Sequence, residues 1–207
     1  AVAMRKRLIT TTLPQFETPA ALDHYLTDRF TYFDREQWHR EISAGKISIN
    51  GVVETCPAAI LRGGEKMTYD GSAIVEPDVD DKIAILYQDD FFIAVDKPGN
   101  LPVHPSGRYF NHTLTAILED RCGRKVYPVH RIDRETSGVI LLAFAGAQVG
   151  ALAAALAKGS KEYLALVHGV FPAGEITIDL PLGPDETSPV AKKRRAWPGG
   201  SEKAVTR

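Results

Sequence analysis

Much of what this sequence can be is bounded by what it lacks. Cysteine occurs only twice, at Cys56 and Cys122. They are too far apart for a CxxC pair, so neither a disulfide framework nor a zinc site is indicated. No apolar run approaches the roughly 20 residues needed to cross a bilayer. The first twelve residues include Arg5, Lys6 and Arg7 but no apolar core of signal-peptide length. There is no internal repeat, no low-complexity tract and no glycine motif that would cradle a phosphate. Nor is there an excess of either charge. Lys and Arg total 25, Asp and Glu 26, for a net charge of −1. That balance argues against a protein that coats nucleic acid by bulk electrostatics, but it leaves room for a local basic face. A reducing, cytoplasmic setting is the expectation.

What is present suits a soluble globular chain, with 44% hydrophobic and 25% charged residues. Its length fits one large domain or two small ones. The pattern divides it into an N-terminal extension over 1–19, a small module over 20–72, a linker over 73–82 and a larger module over 83–207. The linker region is acidic (Glu76, Asp78, Asp80, Asp81), contains Pro77 and lacks periodicity. A basic run, Lys192 to Arg195, reads as either a solvated surface or a binding patch.

In the small module, Leu22, Tyr25, Leu26 and Phe30 recur at helical spacing. Asp34 followed by Gln37 forms a capping-box pattern ahead of a second helix over 35–44, whose buried side is Trp38 and Ile42. Gly45 suits its end. Two short β runs flank Asn50-Gly51, a dipeptide that tolerates the positive φ angles of a tight hairpin. Helix, helix, then AGKISINGVVE resembles the small αL RNA-binding domain found in a small-subunit ribosomal protein and fused to many RNA-modifying enzymes. The resemblance implies a phosphate-binding surface, which here matches Arg35, His39, Arg40 and Lys46. Such cations position RNA by its backbone without reading its sequence.

The larger module opens with β runs over 83–87 and 91–95, joined by Gln88-Asp89-Asp90. A sharp turn at 96–100 leads into a proline-restricted loop over 103–108, then a helix over 113–119. The segment Val129-His130-Arg131-Ile132-Asp133-Arg134-Glu135-Thr136-Ser137 is a charged loop that feeds the apolar run 138–142. A loop held by a rigid strand is a common place for catalytic groups. On spacing alone Asp133 can equally pair with Arg131 or Arg134, or cap a turn, and His130 can be a satisfied, semi-buried histidine.

HRIDRETSGVILLA is similar to the H-R-[LI]-D-x-x-T-S-G signature of the RluA family of pseudouridine synthases. VDKPGNLPVHPSGR resembles that family's upstream K-P-x-G-x-x-V-H-P loop, and KEYLALVHG its downstream K-x-Y-x-A-x-V-x-G strand. The fold class implied is α+β: a small αL RNA-binding domain, then a pseudouridine synthase catalytic domain on a largely antiparallel mixed sheet. The activity implied is isomerisation of uridine to pseudouridine in ribosomal or transfer RNA. It needs no cofactor and no metal, and a monomer is the usual form. Asp133 is then the catalytic aspartate. Tyr163 stacks on the flipped base and is the second catalytic candidate. Arg131 fills the vacated space or holds flanking phosphates, Lys161 touches phosphate, and His104 and Arg108 line the site.

Family members continue to a T-G-R-x-H-Q-[IL]-R segment whose arginine pairs with the aspartate. This sequence stops before it, so the chain is expected to be a piece of a longer protein. Two other functions compete. One is a non-catalytic RNA-binding protein built on an inactive synthase fragment. The other is a metal hydrolase using His104, His112, His130 and Asp133, whose spacing fits no compact ligand pattern.

Overall fold

The computed structural model describes residues 6–30, 32–188 and 193–207. Arg5 and Lys192 lie outside them. The chain divides into two compact units, Ala1–Ser160 and Lys161–Arg207. The first contains two hydrophobic cores.

The first core is built by β1 (Leu8–Thr12), β2 (Ala20–Ala21), α1 (Leu22–Arg29), α2 (Arg35–Ser43), β3 (Ile47–Ile49), β4 (Val52–Glu54), β5 (Ile60–Leu61) and β6 (Lys66–Asp70). The α2 capping box forms as patterned. Asp34 accepts from the Gln37 N–H at 2.7 Å, and the Gln37 side chain accepts from the Asp34 N–H at 3.1 Å. The β3–β4 hairpin turns through Asn50 and Gly51, at φ of 50° and 85°, a conformation that glycine adopts at least cost. The four-stranded sheet runs β1-β6-β3-β4, so the stretch ahead of residue 20 supplies its edge strand. Leu22, Leu26, Trp38, Ile42 and Ile47 are fully buried between helices and sheet. Burial contributes roughly 1.5–3 kcal/mol for each such aliphatic side chain. Trp38 meets Phe33 and Tyr69 edge-on at 5.1 Å.

Residues 74–83 have no regular secondary structure. The second core follows: β7 (Ala84–Gln88), β8 (Phe92–Lys97), α3 (Leu114–Cys122), β9 (Tyr127–Pro128), β10 (Gly138–Ala143) and α4 (Gly146–Ala157). The Asp89 carboxylate closes the β7–β8 turn by accepting from the N–H groups of Phe91 and Phe92. The sheet order is β7-β8-β10-β9, with every pairing antiparallel. Strand alternation puts Ile93, Val95, Ile140 and Leu142 on one face, where Leu114, Ile117 and Leu118 of α3 cover them. β7 is exposed throughout.

Two features depart from expectation. Helix α4 has no counterpart in the sequence reading, and none of its residues is buried. Its sequence, GAQVGALAAALA, is apolar nearly all round, so it lacks the polar contrast that marks a helical face. The KEYLALVHG segment forms no strand: residues 161–167 are irregular, and Leu164 and Leu166 are fully exposed. A strand is held by its ladder, and among the described residues this segment has no pairing partner. The rest of the second unit consists of two short antiparallel pairs. In them β11 (Ile178–Asp179) joins β14 (Val205–Thr206), and β12 (Leu182–Pro184) joins β13 (Arg194–Ala196).

Replacing Asp34 with alanine removes the α2 cap and is expected to lower stability by about 1 kcal/mol. Urea unfolding checks this. A midpoint equal to that of the parent protein would show that the cap contributes nothing.

Candidate active site and nucleic-acid interface

The site is built outward from the end of β8. Positions 93, 95 and 97 share the inward face of that strand, so Lys97 follows Ile93 and Val95 into the core and is completely buried. Its ammonium has three N–H groups and meets three carbonyls: Pro98 and Leu101 at 2.8 Å and Arg134 at 3.1 Å. Burial pushes the Lys97 pKa down, while the charges of Glu135 and Asp133 oppose that shift. The Leu101 N–H donates to the same Arg134 carbonyl at 3.1 Å. At Gly99 an added β-carbon would stand 3.2 Å from the Glu135 carbonyl. The turn over 98–101 is thus packed against the backbone of the 129–137 loop, and a side chain at position 99 would press on that contact.

The other end of the loop is fixed to β10. Val129 N–H donates to the Leu141 carbonyl at 2.9 Å, and the Leu141 N–H donates to His130 Nε2 at 3.2 Å. His130 is therefore half-buried and engaged with the backbone. Between these anchors, Thr136 N–H donates to the Asp133 carbonyl at 3.2 Å in a turn. The Asp133 side chain stands exposed, as does Arg131. Among the described residues, Asp133 has no ion pair, so neither pairing left open by the sequence forms there. Arg134 turns away from it, pairing with Glu135 at 2.5 Å and donating to the Tyr109 hydroxyl at 2.6 Å.

On the upstream loop, His104 and Arg108 are exposed. Arg108 borders a cavity of about 400 Å³ together with Pro102, Tyr109 and Arg134. Arg108 and Arg134 are thus brought together, and His104 does not line that cavity. Lys161 and Tyr163 belong to the second unit, and Tyr163 is 70% exposed. Among the described residues, no cluster of three or more His, Cys, Asp or Glu has the geometry to hold a metal. His112, part of the metal alternative, donates from Nδ1 to the Pro77 carbonyl at 2.7 Å.

The cations picked out on the small module all have carboxylate partners. Arg35 and His39 converge on buried Asp23 at 2.7 and 2.8 Å. Burial would raise the Asp23 carboxyl, but hydrogen bonds from His39 and Arg35 outweigh it and hold the pKa at about 2. Arg40 pairs with Glu36 at 2.6 Å, one turn back on α2. Lys46 meets both oxygens of Glu41, which also accepts from the Tyr69 hydroxyl at 2.6 Å. Arg35, His39 and Arg40 keep much of their surface in solvent, whereas Lys46 is more enclosed.

Lys97, Tyr109 and Asp23 were not singled out from sequence, and Arg134 only as a possible partner of Asp133. For Lys97 a signal existed, since the alternation of Ile93 and Val95 places a lysine on the buried face just before Pro98.

Lys97→Met keeps the volume and strands three carbonyls, at an expected cost of about 2–4 kcal/mol. Stability equal to the parent protein in calorimetry would refute the pinning role. For Asp23, whose folded pKa lies below its unfolded value of 3.8, the stabilisation is full above about pH 5 and fades as pH falls toward 2. Asp23→Asn is therefore expected to cost about 2 kcal/mol at neutral pH. The gap between mutant and parent should close on acidification; a gap constant from pH 7 to pH 2.5 would contradict this.

Residues 91–206 match the family described as RNA pseudouridylate synthase. The chain is 34% identical over 167 residues to the mitochondrial tRNA pseudouridine(32) synthase of Saccharomyces cerevisiae, covering 77% of this chain and 36% of that protein. It is 31% identical over 195 residues to the ribosomal large subunit pseudouridine synthase D of Vibrio cholerae, covering 86% of this chain and 58% of that protein. With the tRNA pseudouridine synthase C of Pasteurella multocida it shares 41% identity over 104 residues, covering 48% of this chain and 42% of that protein. The chain thus spans less than two thirds of each of these relatives.

Proposed function

The chain belongs to the RNA pseudouridylate synthase family, and on that premise we propose that it isomerises uridine to pseudouridine in ribosomal or transfer RNA, with Asp133 as catalyst. One observation carries the assignment. Asp133 projects an exposed carboxylate, free of ion pairs among the described residues, from a loop whose backbone is fixed on both sides, by Lys97 and Leu101 and by β10. A group that must meet a flipped-out nucleotide has to be reachable yet rigidly held.

The reaction breaks the bond between C1′ of the sugar and N1 of uracil. The base turns, C5 bonds to C1′, C5 loses its proton and N1 gains one. Both workable routes begin at the ionised carboxylate, which either adds covalently to sugar or base or withdraws a proton from the sugar to start an elimination. In this reading Arg131 enters the space the base leaves, and Tyr163 stacks on the base. Lys161, His104 and Arg108 hold the surrounding RNA. The small module acts as an αL-type RNA-binding domain, meeting phosphates through Arg35, Arg40 and Lys46. Partial neutralisation by Asp23, Glu36 and Glu41 suits a module that positions RNA more than it captures it. Support for the two substrate classes comes from relatives named for each.

A chromosomal Asp133→Asn substitution is expected to abolish pseudouridine at one or a few sites in total cellular RNA, a loss of at least about 10³-fold. Mapping pseudouridines in parent and mutant reads this directly. An unchanged map, together with retained RNA binding, would favour a non-catalytic RNA-binding protein.

A further inference from the structure

The loop over 104–112 is gripped from outside its own core by two charged residues that no part of the catalytic reading uses. Arg7, directly before β1, is 5% exposed. It has no carboxylate partner among the described residues. Its guanidinium instead donates to the carbonyls of Gly107 at 2.5 Å and Arg108 at 3.2 Å, and it lies 5.8 Å from the Phe110 ring. Its Nε is buried with no partner among the described residues. Burying an arginine on two neutral carbonyls, with one donor unmet, is a poor arrangement for stability alone.

The second grip comes from Glu76, in the irregular stretch between the two cores. Its carboxylate accepts from the backbone N–H groups of Phe110, Asn111 and His112 at 2.6, 2.8 and 2.9 Å, and from the Asn111 side chain at 3.0 Å. Burial would raise this carboxyl, but those three N–H groups outweigh it and keep it below the usual glutamate range. Arg7 holds the loop by its carbonyls and Glu76 holds it by its N–H groups. Between them the chain at 107–112 has little freedom left. The Arg108 side chain, whose backbone Arg7 fixes, borders two cavities, one shared with Phe33 and Ile74, the other with Tyr109 and Arg134.

We propose that Arg7 and Glu76 are positioning residues for RNA: Arg7 clasps the 104–112 loop to the small N-terminal module, Glu76 clasps it to the stretch that leads out of that module, and together they set where Arg108 and Tyr109 meet the substrate. Engagement of the small module and the shape of the catalytic rim are then mechanically linked. The proposal rests on the synthase reading for its substrate, while the clasp itself can be tested without it.

The test uses Arg7→Gln, Glu76→Gln and the conservative Arg7→Lys in the otherwise intact protein. Amide hydrogen exchange across 107–112 should speed up at least about tenfold in both glutamine variants, with β8 and β10 protected as before. Pseudouridine formation on the substrate RNA should show KM raised about tenfold and kcat changed less than about threefold, with Arg7→Lys partly restoring KM. Unchanged exchange in both glutamine variants overturns the clasp. Faster exchange with unaltered KM overturns the positioning role. Should the parent protein form no pseudouridine, the synthase reading fails while the exchange result still decides the clasp. A variant that loses protection throughout reports global unfolding, and exchange in the other glutamine variant then decides the clasp.

Discussion

The buried ammonium of Lys97 is the constraint around which the larger module is arranged. An ionised group without a counter-ion is costly inside a protein. Here the cost is offset by three carbonyl dipoles that converge on the ammonium. Because two of those carbonyls lie in the turn after β8 and the third lies beside Asp133, the lysine converts strand geometry into loop geometry. Gly99 completes the arrangement by letting the two backbones touch. What the strand pair β8–β10 gives is a floor; Lys97 turns that floor into a fixed position for an aspartate.

The smaller module solves a different problem. Its apolar core is closed by Trp38 and its aromatic neighbours, and several of its charges are matched around two carboxylates, Asp23 and Glu41. Asp23, held ionised by Arg35 and His39, ties the start of α1 to α2. Glu41 ties the end of α2 to β6 through Tyr69 while holding Lys46. These pairs fix the helix–hairpin geometry first; Arg35, His39, Arg40 and Lys46, the cations matched to a phosphate-binding surface, are already oriented by carboxylates. That favours defined placement over strong attraction, in keeping with the near-neutral net charge of the chain.

Local chemistry was legible in the sequence. The Asp34–Gln37 box, the Asn50-Gly51 hairpin and the Asp89 turn each depend on neighbours within a few positions, and each forms where its pattern lies. Non-local partners were not legible. Nothing in the pattern around Asp23 announces that two α2 side chains will close on it. An acidic stretch with a proline reads as a linker until Glu76 is seen receiving three N–H groups from 34 to 36 positions further on. Helix α4 escaped because an apolar surface without contrast has no period to detect. The 161–167 segment has strand-like residues but no ladder, and composition alone cannot supply one. Of the candidate site, the residue types and their loops were visible; which of them would be pinned, paired or left free was decided by tertiary contacts.

Salt distinguishes the two kinds of electrostatics in this molecule. Exposed pairs such as Arg40–Glu36, and contacts with an RNA backbone, weaken as mobile ions screen them over about 10 Å. The Lys97 cluster is closed to those ions, and its partners are peptide dipoles rather than charges. A rise in ionic strength therefore loosens the grip on a polyanion while leaving the scaffold beneath Asp133 untouched. On the proposed function, dissociation and inactivation become separate events, and RNA is released without any rebuilding of the loop before the next encounter.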